Sequence, residues 1–206
     1  ANSAPGKVAT LILPADTAWG DSDGPAEVQA APERAKVSDA AIANAMNVLR
    51  SGEPAALVLT GLALREYPLN LAGRIAAATG ATVMAQGSNA RIQRGAGRVP
   101  VERIPFNVDL ALKFLEQYKH VILVGAKPPV AFFAYPNKPS TLTPESCEVH
   151  RLATLEEDSV HALEWLVDEL GARDAQPSVQ AFGRPDAPTG ALTKDSIAAA
   201  LGTAIP

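Results

Sequence analysis

Apolar residues along the chain fall into two patterns that take turns, and each pattern belongs to a different kind of element. Short unbroken apolar runs read as strands buried on both faces, since only a sheet covered on two sides removes the usual alternation of inward and outward positions. Four such runs are "VATLILPAD" (Val8–Asp16, ended by Pro14), "PAALVLTG" (Pro54–Gly61), "ATVMA" (Ala81–Ala85) and "HVILVG" (His120–Gly125), with "CEVHRLA" (Cys147–Ala153) as the next. Helical periods lie between them. Ser38 caps a helix that sets Ile42, Met46 and Leu49 at i, i+4 and i+7 and stops at Gly52. A second runs through "LAGRIAAATG" to Gly80, and Asn107 caps a third over "VDLALKFLEQY". "DSVHALEWLVDELG" aligns Val160, Leu163, Leu166, Val167 and Leu170 on one face before Gly171, and "KDSIAAALG" closes the chain as a short helix. Strands and helices in turn predict an α/β fold, with a parallel sheet, right-handed crossovers and helices on both faces.

Two stretches lack any apolar period. "GDSDGPAEVQAAPERAK" and the segment from Arg173 to Gly190, with Pro177, Pro185 and Pro188, read as linkers. They divide the chain into residues 1–20, a linker over 21–37, a self-sufficient middle over 38–173, a second linker over 174–190 and a closing piece over 191–206. The two ends read as the last strand of one neighbour and the first helix of another.

Composition narrows the partners. The 206 residues are 47% hydrophobic and 19% charged, which is the balance of a globular chain rather than a disordered one. A formal net charge of -4 argues against a nucleic-acid or membrane-surface role. No apolar run approaches the roughly 18 residues of a membrane span, and "ANSAPGK" is no signal peptide. The single Cys147 cannot close an intrachain disulfide and fits a reducing, cytoplasmic setting. Because the first residue is Ala1 rather than methionine, the chain is expected to be a piece of a longer one.

In a parallel sheet, ligands sit beyond the carboxyl ends of the strands. The ends named by this sequence supply Gly61, Gly87, Ser88, Gly125 and Lys127 as the candidate cofactor-binding crevice. The turn after the fourth strand is wrong for a dinucleotide fingerprint, since "GAKPPVAFF" follows Gly125 with two prolines and a phenylalanine pair rather than further glycines and a helix. Proline also removes backbone donors that would cradle a diphosphate. The crevice therefore reads as filled, with Phe132 and Phe133 packed against protein. Arg91, Arg94, Arg98 and Arg103 form a basic series that reads as a loop pairing with acids of a neighbouring domain or subunit rather than as a phosphate site. His120, His150 and His161 show no metal-ligand spacing and read as structural, as does Cys147; no catalytic or metal-binding residue is expected.

The runs "PGKVATLILPADTAWG", "GLALREYPLNLAGRIAAATGA", "RIQRGAGRVPVERIPF", "VILVGAKPPVAFFAYPNKPSTLTPESCEVHRLA" and "TGALTKDSIAAAL" together resemble the acetolactate synthase large-subunit family and its relatives, including benzoylformate decarboxylase. The resemblance covers essentially all 206 residues in order. It implies a Rossmann-like three-layer central domain, with a parallel sheet of roughly six strands, from a thiamine diphosphate enzyme acting on 2-oxo acids. Residues 1–20 would end the pyrimidine-binding domain and residues 191–206 would begin the pyrophosphate-binding domain. Those two domains are then its partners, in a homo-oligomeric parent that uses thiamine diphosphate and Mg²⁺. Central domains of the family hold FAD or ADP in some members, which supplies the alternative: a nucleotide-binding regulatory or vestigial module. Here the arginine and acidic pairs of flavin-binding relatives are missing after Gly125 and Ala153. The family's metal motif has a partial echo in "GDS" at Gly20–Ser22 with Asn44 and Asn47, but those asparagines fall inside a helical pattern. Glu27, Glu33 and Glu53 match no activating glutamate.

Overall fold

The computed structural model describes residues 1–205. Five strands pair in parallel in the order β3–β2–β1–β4–β5, where β1 is Ala55–Leu59, β2 Thr82–Ala85, β3 Glu102–Arg103, β4 His120–Val124 and β5 Glu148–Ala153. This is the doubly wound order: the chain builds outward from β1 to β3 on one side, then returns to lay β4 and β5 on the other. Every residue of β1 and of β4 is buried, as their unbroken apolar runs require.

The period of two along these strands divides the core. Ala55, Leu57, Leu59, Ile122 and Val124 face one layer, packed with residues of α2 (Asp39–Arg50), α3 (Glu66–Thr79) and α5 (Ser159–Leu170). Ala56, Val58, Val121 and Leu123 face the other, where α4 (Val108–Leu115) supplies Val108, Ala111 and Leu115. The second face is completed by Tyr118, Ala126 and Leu142, the last two from the irregular segment that joins β4 to β5. The three layers of the expected α/β fold are present.

Local chemistry sets the ends of the helices. The Ser38 side chain accepts from the Ala41 N–H at the start of α2, Asn107 from Leu110 at the start of α4, and Asp158 from both Val160 and His161 at the start of α5. Gly80 and Gly171 close α3 and α5 in the left-handed conformation, at φ of 77° and 67°. The helix read through "LAGRIAAATG" begins earlier than its apolar period shows, at Glu66. Pro68 falls in its first turn, where the missing N–H would have had no helical partner.

Two expectations are corrected. The sheet has five strands rather than roughly six, and Val8–Leu13 is not one of them. That segment is irregular and exposed, with Val8 at 98% and Ile12 at 85%, and leads into the short exposed helix α1 (Ala15–Trp19). A strand needs a partner edge, and the two edges of this sheet, β3 and β5, pair with nothing from the first 20 residues. The fifth place is taken by β3, whose two exposed residues had no apolar signal. The closing helix is α6 (Lys194–Ala204), which has no buried residue and is tethered by Arg184 donating to the carbonyls of Thr203 and Ile205.

Two outcomes follow from this packing. No residue among the first 20 is buried, so deleting residues 1–20 should change the unfolding free energy by less than about 0.5 kcal/mol in urea titrations. The same deletion should reduce self-association measured by light scattering, because it removes an unpartnered apolar strip; a large loss of stability would show that the strip belongs to the core. Gly73, buried in α3, has no room for a methyl: a Cβ there would lie 2.6 Å from Val99 Cγ2 and 2.8 Å from Pro177 Cβ. Gly73→Ala should therefore destabilise by about 1 kcal/mol, overpacking outweighing the gain in helix propensity. A stabilised variant would overturn that reading.

Candidate functional site

The crevice expected at the carboxyl ends of β1 and β4 exists, and it is divided. Gly61 and Gly125 flank a notch at φ of 59° and 68°, and the Leu155 side chain stands in it. Its Cδ2 atom lies 4.0 Å from where a Cβ on Gly61 would be and 3.9 Å from one on Gly125. Arg34 fixes this turn from the linker side, its guanidinium donating to the Leu155 carbonyl at 2.9 Å. Leu155 separates a hollow of about 190 Å³, which includes Gly125 and Lys127, from one of about 210 Å³, which includes Gly61 and Thr60.

Gly87, Ser88 and Lys127 line a third hollow of about 320 Å³ with Phe106, Pro128 and Phe132. The five candidate residues thus fall in three adjoining spaces rather than one. All are exposed except Gly125, which is buried.

Three of the backbone donors of the crevice are already engaged. The Gly125 N–H donates to the Ala153 carbonyl at 2.8 Å, that of Thr60 to Val124 at 3.3 Å, and that of Lys127 to the Gln86 side-chain oxygen at 3.2 Å. Pro128 and Pro129 have none to offer. The Thr60 hydroxyl donates to Asn89 Oδ1 at 2.8 Å, and the Asn89 amide donates to the Gln86 carbonyl, so the floor between β1 and β2 is tied by its own side chains.

The aromatic pair does not fill this crevice, contrary to the sequence reading. Phe132 and Phe133 stack edge to face at 4.7 Å between ring centroids and extend through Phe106 and Tyr135 into one cluster, yet they remain 67% and 57% exposed. Leu155 occludes the notch instead. As the residue following β5 it carried no signal in the sequence. The arginines also differ from expectation: Arg98 pairs within the chain, with Glu66 of α3 at 2.9 Å, and Arg94 donates to the Val101 carbonyl. Arg91 and Arg103 are exposed.

The histidines require a larger correction. His120 and His150, 30 positions apart, are brought by the β4–β5 register to 3.1 Å between Nδ1 and Nε2, with Glu148 beside both. Glu53, which matched nothing in sequence, lies 2.9 Å from His120 Nε2. Burial first, then the neighbouring His120, pulls the His150 imidazole below its ordinary pKa. His161 is elsewhere, stacked edge to face on Trp165 with its Nδ1 buried and without a partner among the described residues.

The "GDS" echo assembles no Mg²⁺ site. Asp21 and Asn47 are exposed, and the Asn44 amide is turned to His150 Nδ1 at 3.1 Å. These residues do not fit the diphosphate-anchoring metal of a thiamine enzyme, which needs carboxylate, amide and carbonyl oxygens converging on one point.

No protein-family model matches the chain. Over 200 residues, 97% of its length, it is 41% identical to IlvX of Mycobacterium tuberculosis, a protein named provisionally as an acetolactate synthase large subunit. The chain is homologous to part of an acetolactate synthase-like large subunit. It spans 38% of that relative's length. Its fold matches an enzyme of Mycobacterium smegmatis, assigned provisionally as thiamin diphosphate-dependent, with a TM-score of 0.55 at 20% identity over 77% of this chain and 34% of the other. It also matches the thiamine diphosphate-dependent 4-hydroxybenzoylformate decarboxylase of Rhodococcus jostii RHA1, with a TM-score of 0.54 at 20% identity over 81% of this chain and 33% of the other. At that identity the structural likeness is one of fold, and it agrees with the Rossmann-like α/β architecture expected. The acetolactate synthase-like resemblance read from the sequence is shown by the first comparison. Among the described residues, no helix is long and apolar enough to cross a membrane.

Leu155→Ala should merge the two small hollows. Because Leu155 is only half-buried, the loss of unfolding free energy should be about 1–2 kcal/mol, below the range of a fully buried leucine. Equilibrium denaturation measures it, and a neutral result would mean that the side chain does not close the notch.

Proposed function

We propose that the chain is the central structural and assembly domain of a thiamine diphosphate-dependent enzyme acting on 2-oxo acids, by carboligation of the acetolactate synthase type or by decarboxylation. The observation that carries this reading is the 41% identity with an acetolactate synthase-like relative across 97% of the chain, which nonetheless spans only 38% of that relative. In this reading residues 38–173 form the central domain, residues 1–20 end the pyrimidine-binding domain, and residues 191–206 begin the pyrophosphate-binding domain. The linkers over 21–37 and 174–190 set the spacing between them. The exposed apolar residues Val8, Leu11, Ile12, Leu192 and Leu201 support it, since such side chains at both flanks are what a chain with further domains would cover. The parent would be a cytoplasmic homo-oligomer holding thiamine diphosphate and Mg²⁺ at the junction of its other domains.

The chain itself is then silent toward the reaction. Asp21 and Asn47 are exposed, Asn44 is turned to His150, and the crevice is subdivided by Leu155 with the Thr60, Gly125 and Lys127 donors engaged. The alternative is a nucleotide-binding regulatory or vestigial module holding FAD or ADP. It draws support from the doubly wound strand order, which places a switch point between β1 and β4. The two hollows beside Leu155, of about 190 and 210 Å³, weigh against it, since each is smaller than the roughly 300–1,000 Å³ of a ligand pocket.

The test is a titration of the chain with thiamine diphosphate and Mg²⁺, an assay of pyruvate and benzoylformate consumption, and an absorption spectrum. Expected are no binding in the micromolar range, no turnover and no flavin bands. Flavin bands or saturable ADP binding would favour the nucleotide module. Micromolar thiamine diphosphate binding dependent on Asp21 and Asn47 would make the chain an enzyme in its own right.

A further inference from the structure

At the amino ends of β4 and β5, at the opposite end of the strands from the crevice, two imidazoles and a carboxylate converge. His120 opens β4 and Glu148 opens β5, and the parallel register sets them opposite each other. His150 lies two positions further along β5, so its side chain shares the Glu148 face. His120 Nδ1 and His150 Nε2 are 3.1 Å apart, and Glu148 Oε2 is 3.9 Å from the first and 3.7 Å from the second.

We propose that His120, Glu148 and His150 form a binding site for a divalent cation of the zinc class. Tetrahedral zinc at about 2.0–2.1 Å from two imidazole nitrogens holds those nitrogens about 3.3 Å apart, close to the observed spacing. Glu148 is largely exposed and free to close the remaining few tenths of an ångström. Two nitrogen donors and one carboxylate select zinc, cobalt or nickel over Mg²⁺ or Ca²⁺, which take oxygen ligands. Three protein ligands leave a fourth position for water or an added ligand.

The surroundings match what metal-bound histidines require, which is an acceptor for the ring nitrogen pointing away from the ion. His120 Nε2 faces Glu53 Oε2 at 2.9 Å, the carboxylate–histidine arrangement that fixes the tautomer and raises ligand basicity. His150 Nδ1 faces the Asn44 amide at 3.1 Å, and a half-turn of that amide presents its oxygen as the acceptor. Both side chains of the imidazole pair are largely buried, 11% and 12% exposed, so little conformational freedom is left for a cation to remove. Without an ion the same atoms close a neutral relay: Asn44 donates to His150, His150 to His120, and His120 to Glu53. The proposal and the relay differ in whether a cation displaces the proton between the two rings.

Calorimetric titration of the tag-free chain with zinc chloride decides between them, together with the visible spectrum of the cobalt-loaded chain and the shift in melting temperature. Expected are one ion per chain, four-coordinate cobalt bands, a higher melting temperature with zinc and none with magnesium. Glu148→Gln, at an exposed position, and His150→Asn should each weaken binding more than tenfold with the circular dichroism spectrum unchanged. Glu53→Gln should weaken it about 10- to 100-fold through His120, and Cys147→Ser should leave it as it was. No saturable zinc binding by the unaltered chain would overturn the proposal and leave the relay as the role of these residues. Binding that survives Glu148→Gln together with His150→Asn, or that Cys147→Ser abolishes, would overturn it as well.

Discussion

The parallel pairing of β1 with β4 is the constraint from which the remaining architecture follows. Five consecutive residues of each strand align, Ala55 with His120 through Leu59 with Val124, and all ten are buried. Parallel neighbours cannot be joined by a tight turn, so the chain must leave the sheet and return, and each return must cover a face. The alternating side chains then need apolar partners above and below, which α2, α3 and α5 supply on one side and α4 on the other. The four helices divide three to one between the two faces, and the thinner layer is completed by residues of the β4–β5 connection. That is why a proline-rich segment with little regular structure still buries Ala126 and Leu142.

What the sequence made legible is whatever two independent signals mark. The helix from Asp39 has a serine cap and an apolar period, the helix from Ser159 an apolar period and a glycine stop, and both appear where expected. The runs of β1 and β4 are apolar on both faces and admit no other placement. Val8–Leu13 has the same composition and no strand, because an apolar run states a need for burial and says nothing of whether a partner edge is within reach. In β3 the failure is reversed: Glu102 and Arg103 are unremarkable strand formers, but the flanking Val101 and Ile104 are buried and carry them alongside β2. Leu155 and the histidines were illegible for one reason. Their meaning depends on which strand lies beside which, and in what register.

The crevice illustrates how a nucleotide-type fold withholds its usual site. A switch point attracts phosphates because backbone donors at strand and helix ends have nothing else to bond. Here Gly125, Thr60 and Lys127 spend their N–H groups on Ala153, Val124 and Gln86, and the next two residues are prolines. A diphosphate entering this notch would displace bonds already made and would meet the Leu155 methyls, and Arg34, one of the cations lining it, is already bonded to the Leu155 carbonyl. The fold keeps the left-handed glycines that shape such a turn while spending the Gly125 and Lys127 donors after β4 on its own acceptors.

The histidine cluster is informative for the opposite reason, since its polar atoms are matched in a place where matching is hard. Buried imidazoles cost free energy unless both ring nitrogens are bonded. Two imidazoles in contact repel when both are cations, which favours a relay between the rings or a shared ion. Either arrangement needs an acceptor at one far end, and Glu53 is that acceptor. It needs a group able to serve as donor or acceptor at the other, and an amide is the side chain that offers both by a half-turn. Asn44 is that group, held by α2 against the start of β5. A purely structural pair would be satisfied by a fixed donor at that position; the exposed Glu148 carboxylate beside both ring nitrogens is the component that the relay leaves unused and that a cation would engage.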